Sequence, residues 1–134
     1  MKIVIDTNIL LVCVSSRSSL HWIWESIMSK KITLCVTTEI LAEYAEIIER
    51  FMGSEASEFV LSTFDTLPNL ERVTTWFRFN LVSDPDDNKF VDCAISTNAL
   101  FIVSHDTGFN ILKKIGFPKV EVIDTVELKK RLEL

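Results

Sequence analysis

Apolar residues along this chain fall into two kinds of pattern that alternate from one end to the other. Short runs rich in Ile and Val with polar ends, such as Ile3-Val4-Ile5 and Leu100-Phe101-Ile102-Val103, mark strands buried on both faces of a parallel sheet. Between them, apolar residues recur every three or four positions, as in amphipathic helices. On this reading residues 2–6 form a first strand and a helix follows over 8–15. Leu20, Trp22, Ile23, Trp24, Ile27 and Met28 predict a second, strongly apolar helix, and Ile32–Val36 a second strand. Thr37 or Thr38 caps a helix running to about Phe51. Gly53-Ser54 breaks it, and residues 55–65 form another helix with Phe59, Val60 and Phe64 turned inward. Pro68-Asn69 is a turn, and Leu70–Phe79 is a short strand and a loop. Asp84 as N-cap and Pro85 at the first position start a helix that extends to about Asn98. Residues 100–104 form a strand, 107–114 a short helix, 120–123 a strand and 125–132 a last helix. Strands alternating with helices predict a three-layer α/β/α fold around a parallel sheet of four or five strands. A length of 134 residues suits one domain, 1–134, with a single core.

Two of the buried runs end in an aspartate: Ile5 is followed by Asp6, and Val103 by Ser104-His105-Asp106. In open α/β sheets, sites form outside the carboxyl ends of the strands. Two carboxylates delivered there repel each other unless a cation sits between them, and oxygen-rich clusters suit magnesium or manganese. Glu43 is a third candidate. It borders the apolar stripe made by Ile40, Leu41, Tyr44, Ile47, Ile48 and Phe51, whereas Glu39, Glu46 and Glu49 lie further round toward solvent. Asp87 is a fourth. It heads the row Phe90, Val91, Ala94, which places it on the sheet-facing side, while Asp92 falls with Asn88, Lys89 and Ser96 on the polar side. Each acid has a plain structural role open to it. Asp6 and Asp106 can cap the helices after them, Glu43 can be solvated, and Asp87 in a first helical turn gains about 0.3–1 kcal/mol from the dipole. Four acids aimed at one sheet edge are harder to explain as caps.

Composition narrows the function classes. Nineteen acids against fourteen bases give a net charge of -5, which counts against a plain nucleic-acid-binding module. It counts less against a metal nuclease, whose acids are neutralised by bound cations. Cys13, Cys35 and Cys93 form no CxxC pair, so zinc and a disulfide framework are not expected, and a reduced cytoplasm fits. Lys2 with its apolar followers does not make a signal peptide, because Asp6 and Asn8 interrupt the run, and no segment reaches membrane-spanning length. His21 beside Trp22 and Trp24 belongs to packing, and His105 points away from Asp106. Trp22 and Trp24 cannot share one helix face, so one of them is expected to cover a partner surface.

Val4-Ile5-Asp6-Thr7-Asn8-Ile9-Leu10, Thr38-Glu39-Ile40-Leu41-Ala42-Glu43, Asp84-Pro85-Asp86-Asp87-Asn88-Lys89-Phe90 with Ala94, and Ile102-Val103-Ser104-His105-Asp106 occur in that order. Together they resemble the PIN-domain ribonucleases, especially the VapC-like toxins of toxin–antitoxin pairs. The resemblance implies a PIN-like fold and a metal-dependent endoribonuclease using Mg2+ or Mn2+. It implies RNA as substrate, a protein antitoxin as partner, a homodimer and a cytoplasmic location. It puts the catalytic acids at Asp6, Glu43, Asp87 and Asp106. Asp6, Asp87 and Asp106 hold the metal, and Glu43 stands behind them or at a second ion. Thr7, Asn8, Asp92 and Ser104 are the supporting positions. Ser104-His105 departs from the Thr-containing pair usual before the last acid, and Asp92 competes with Asp87 for the third position.

Phosphodiester hydrolysis needs an activated water and relief of charge on the phosphate, and a cation held by carboxylates supplies both. No Ser/His/Asp triad, Walker loop or GxGxxG points elsewhere. The competing reading is a catalytically inactive PIN-like module that binds RNA or protein, and the full set of acids argues against it. A receiver domain lacks its acidic pair here, and a haloacid-dehalogenase-like phosphatase lacks Asp-x-Asp.

Overall fold

A computed structural model describes residues 1–134. Five parallel strands form one sheet: β1 (Lys2–Ile5), β2 (Thr33–Val36), β3 (Leu70–Arg72), β4 (Phe101–Val103) and β5 (Val122–Ile123), in the order β3-β2-β1-β4-β5. Ile3, Val4, Ile5, Ile102 and Val103 are fully buried, as an apolar run covered on both faces requires. Helices flank the sheet as α1 (Thr7–Val14), α2 (His21–Met28), α3 (Thr38–Met52), α4 (Ser54–Thr66), α5 (Asn88–Thr97) and α6 (Thr125–Arg131). The architecture is the expected α/β/α one. Helix α5 lies against β1, β2 and β4, while α1 packs with α2 and α3, and α3 pairs with α4. No helix is long and apolar enough to cross a membrane.

Local chemistry explains the boundaries. Thr37 caps α3, its hydroxyl accepting from the Ile40 N–H at 3.1 Å. Gly53, at φ +95°, makes the α3–α4 corner in a backbone region that a β-carbon would strain. Asn98 ends α5 in the left-handed conformation. The core joins all layers, with Phe90 of α5, Tyr44 of α3, Phe64 of α4 and Phe101 of β4 each at most 1% exposed.

Several expectations are corrected. Helix α5 starts at Asn88, not at Pro85. The Asp84 carboxylate accepts from the Asp86 N–H at 3.0 Å and its carbonyl from the Asp87 N–H at 3.0 Å, so Asp84-Pro85 is spent on a turn. The short helix expected over 107–114 is present with those bounds and is of the 3-10 type. Phe51 and Phe59, assigned inward by periodicity, are 67% and 60% exposed; Phe51 sits in the last turn of α3 beside the Gly53 corner, and Phe59 only edges the core, its ring 6.3 Å from that of Trp24. Of the two tryptophans, Trp24 is buried against Phe64, at 5.8 Å between ring centres, as expected for one of the pair, and Trp22 is half-buried with the Lys129 ammonium over its ring. All three cysteines are buried free thiols.

Candidate active site

Strands β1 and β4 are neighbours in register, with Ile5 opposite Val103. Their parallel pairing therefore releases Asp6 and Ser104 side by side at the carboxyl edge. The Asp6 N–H donates to the Val103 carbonyl at 3.0 Å, and the Ser104 hydroxyl donates to Asp6 Oδ2 at 2.7 Å. Asp6 occupies the N-cap position of α1, yet its carboxylate makes no capping bond. The plain explanation of this acid as a cap therefore does not describe it. Burial raises its pKa, Asp106 and Glu43 raise it further, and the Ser104 hydroxyl opposes them.

Ser104 also joins the two strand-end acids, because its Oγ accepts from the Asp106 N–H at 2.9 Å. Asp106 does cap the 3-10 helix, with Oδ1 accepting from the Gly108 N–H at 2.8 Å. Asp87, the residue before α5, makes no capping bond and is half-buried. A β-carbon at Gly108 would stand 3.2 Å from Asp106 Oδ1 and 3.6 Å from Asp87 Oδ2, so these two carboxylates converge on one point above that glycine. Burial first, then Asp106, Asp84 and Asp6, pushes the Asp87 carboxyl up to about 6, with Lys89 acting the other way. His105 turns aside to Thr125 Oγ1 at 3.0 Å. Asp6, Asn8, His105 and Asp106 line a cleft of about 350 Å³ together with the apolar Ile9 and Val12.

Glu43 belongs to the same neighbourhood but is already partnered. The Thr7 hydroxyl donates to one of its oxygens, and the Lys89 ammonium pairs with the other at 2.9 Å. Lys89 is the residue that helical periodicity misplaced. Its side chain is 8% exposed, not solvated, and it also donates to the Asp86 carbonyl. Burying an ammonium is costly without partners, and Glu43 supplies one. The signal in the sequence was the Lys among three nearby aspartates, but periodicity about α5 could not use it because Lys89 sits at the helix start.

Asp92 is corrected as well. It is 5% exposed rather than on a solvated face, because residues 73–82 cross over it. Its Oδ1 accepts from the Phe79 N–H at 3.2 Å, and the charges it feels are Arg78 and Glu39, not Asp6, Asp87 or Asp106. It is therefore set apart from the other three acids. Asn8 is exposed at the mouth of the cleft.

No three His, Cys, Asp or Glu side chains close into a complete cage. What the edge offers is a set of hard oxygen donors, Asp6, Asp87 and Asp106; burial first and the neighbouring acids second raise the pKa of Asp6 and Asp87, and the Lys89 ammonium is committed to Glu43. That donor set fits a hard divalent cation that keeps part of its hydration, as magnesium does.

The raised carboxyls have a stability consequence. A group whose pKa is higher folded than unfolded adds stability below its unfolded value, and that contribution is lost as pH rises through the folded value. For Asp87 the window runs from its ordinary 3.8 to about 6. In chelator, Asp87→Asn should match wild type in thermal midpoint near the lower limit and exceed it by a few degrees at neutral pH. An equal midpoint at every pH would show that the carboxylate carries no such penalty.

Residues 2–108 match the family model of the PIN domain. The chain belongs to the PIN-domain family. Solved PIN-like structures share the fold at low identity. VapBC2 of Rickettsia felis, bound to a DNA fragment from its promoter, aligns at a TM-score of 0.64 with 17% identity over 92% of this chain and 98% of that one. VapC20 of Mycobacterium tuberculosis, a toxin that cleaves the sarcin-ricin loop, aligns at 0.57 with 15% identity over 81% and 92%. FitAcB of Neisseria gonorrhoeae aligns at 0.56 with 13% identity over 90% and 96%. No curated protein matches the sequence.

Proposed function

We propose that this PIN-domain protein is a metal-dependent endoribonuclease, one nuclease domain over 1–134, and the toxin of a toxin–antitoxin pair. The observation that carries the reading is the meeting of Asp87 and Asp106 above Gly108, with Asp6 tied to Asp106 through Ser104. Asp6, Asp87 and Asp106 would hold Mg2+ or Mn2+, which when bound lowers the pKa of water and neutralises phosphate oxygens. The residues themselves set the conditions. Ser104 fixes the Asp6 carboxylate by donating to Oδ2, and Gly108 leaves the approach to Asp87 and Asp106 unobstructed. Thr7 and Lys89 hold Glu43, so that this acid stands behind the others.

Supporting the toxin assignment are the family membership and the toxin fold shared with VapC20 and the VapBC proteins. A protein antitoxin in the cytoplasm is the corresponding partner, with a homodimer as the assembly. The inactive-module reading predicts RNA or protein binding without turnover. The test is an RNA-cleavage assay on mixed single-stranded substrates with magnesium, manganese or chelator. Cleavage that requires metal and stops with chelator is expected. No cleavage with either metal across varied RNAs would favour the binding module instead.

A further inference from the structure

Residues 73–82 run from the carboxyl end of β3 to the start of α5 without regular secondary structure. In the middle of this crossing stand two consecutive aromatic rings, Trp76 at 84% and Phe77 at 74% exposure, among the most exposed large apolar side chains of the protein. Water contact over two such rings is unfavourable, so their exposure calls for an occupant. Arg78 follows them, also exposed and without a direct ion pair, whereas Arg50, Arg72 and Arg131 each have an acid partner.

The crossing is built, not loose. The buried Asp92 accepts from the Phe79 N–H, and Asn88 holds Val82 from both sides, Oδ1 accepting its N–H at 3.1 Å and Nδ2 donating to its carbonyl at 3.2 Å. Both anchors belong to α5, and Asn88 directly follows Asp87. Along a helix, five residues span about 7.5 Å, so the Asp92 anchor lies within a few nucleotides of the Asp87 carboxylate.

The geometry points to Trp76, Phe77 and Arg78 as a stacking platform for unpaired bases of single-stranded RNA, feeding the carboxylate site; this rests on the nuclease reading above. The chemistry of the patch favours RNA over a protein partner. Exposed polar residues Thr74, Asn80 and Ser83 flank the rings along the chain and interrupt the continuous apolar surface that the core of a stable protein interface needs. Two exposed rings followed by an exposed guanidinium match base faces and a phosphate. A chain of net charge -5 cannot draw in a polyanion by overall charge, and stacking supplies affinity that does not depend on it. Bases paired in a duplex are already stacked on one another and cannot reach the rings.

The test uses the full chain carrying Asp6→Asn, which binds without cutting, and a short fluorescein-labelled single-stranded RNA read by anisotropy. Trp76→Ala and Phe77→Ala should each weaken binding about tenfold, and Trp76→Phe should recover most of it. Arg78→Ala should reduce the salt dependence by about one phosphate contact. The same RNA as a duplex should bind more weakly. In the cleaving protein, Trp76→Ala should raise KM with little change in kcat, a split that a general structural defect would not give. A Trp76→Ala/Phe77→Ala double variant that binds single strands within twofold of its parent overturns the platform. So does a variant that loses self-association in light scattering while keeping RNA affinity, since the patch would then be a protein interface. If wild type cleaves and the variants leave RNA binding unchanged, the platform alone falls. If wild type neither binds nor cleaves RNA, the nuclease reading falls with it.

Discussion

Asp6→Asn is expected to lower RNA cleavage at least about a hundredfold while the protein stays folded, because it removes one negative donor from a site that must neutralise several kcal/mol of developing charge. The substitution keeps the shape, and the amide oxygen can still accept from Ser104, so the strand pairing beneath it is undisturbed. Single-turnover cleavage and a thermal melt measure the two effects separately. Asp87→Asn should cause a comparable loss, since its carboxylate shares the point above Gly108 with Asp106. Asp92→Asn is the internal control. Its carboxylate serves the Phe79 N–H, a bond that an asparagine oxygen also accepts, so cleavage should stay within a few-fold of wild type. Abolished cleavage in Asp92→Asn with activity kept in Asp87→Asn would exchange the roles of the two residues.

Phe90→Ala should destabilise the protein by about 3–5 kcal/mol, a large share of the roughly 5–15 kcal/mol that holds an ordinary domain together. Phe90 is 1% exposed on the helix that packs against β1, β2 and β4, and its removal leaves a cavity that a parallel sheet buried on both faces cannot easily close. Urea denaturation reads the change as a lower midpoint at unchanged slope. Phe90→Leu should recover much of the loss because less volume is missing. A shift below about 1 kcal/mol for the alanine variant would mean that α5 repacks, and the position of Asp87 would then have to be less constrained than the structure implies.

Much of this architecture is written in local chemistry. The runs at Ile3–Ile5 and Phe101–Val103 could only be doubly covered strands, and β1 and β4 carry them at the centre of the sheet. Thr37, Gly53 and Asn98 end or begin helices through side-chain and backbone preferences that need no long-range contact. Asp6 and Asp106 were readable for the same reason: each comes just after a buried run, and parallel strands all deliver their next residues to the same edge.

Other features depended on which segments come to lie across each element. Periodicity gives the angle of a residue around its own helix, not whether another segment covers that angle. Asp92 and Lys89 therefore looked solvated, yet residues 73–82 close over one and Glu43 meets the other. Phe51 and Phe59 failed in the opposite sense, since an apolar position on a helix stripe is buried only where another segment covers it, and these two are left largely uncovered. Asp84-Pro85 has the form of a helix start, but the Asp84 carboxylate closes a turn instead and moves the helix onset to Asn88, leaving the Asp87 carboxylate free of capping. By itself the sequence determined the strands, most helix ends and which acids leave the central strands. The tertiary structure alone decided which acids meet, which are partnered and which rings are left bare, because those outcomes are set by contacts between segments far apart in the chain.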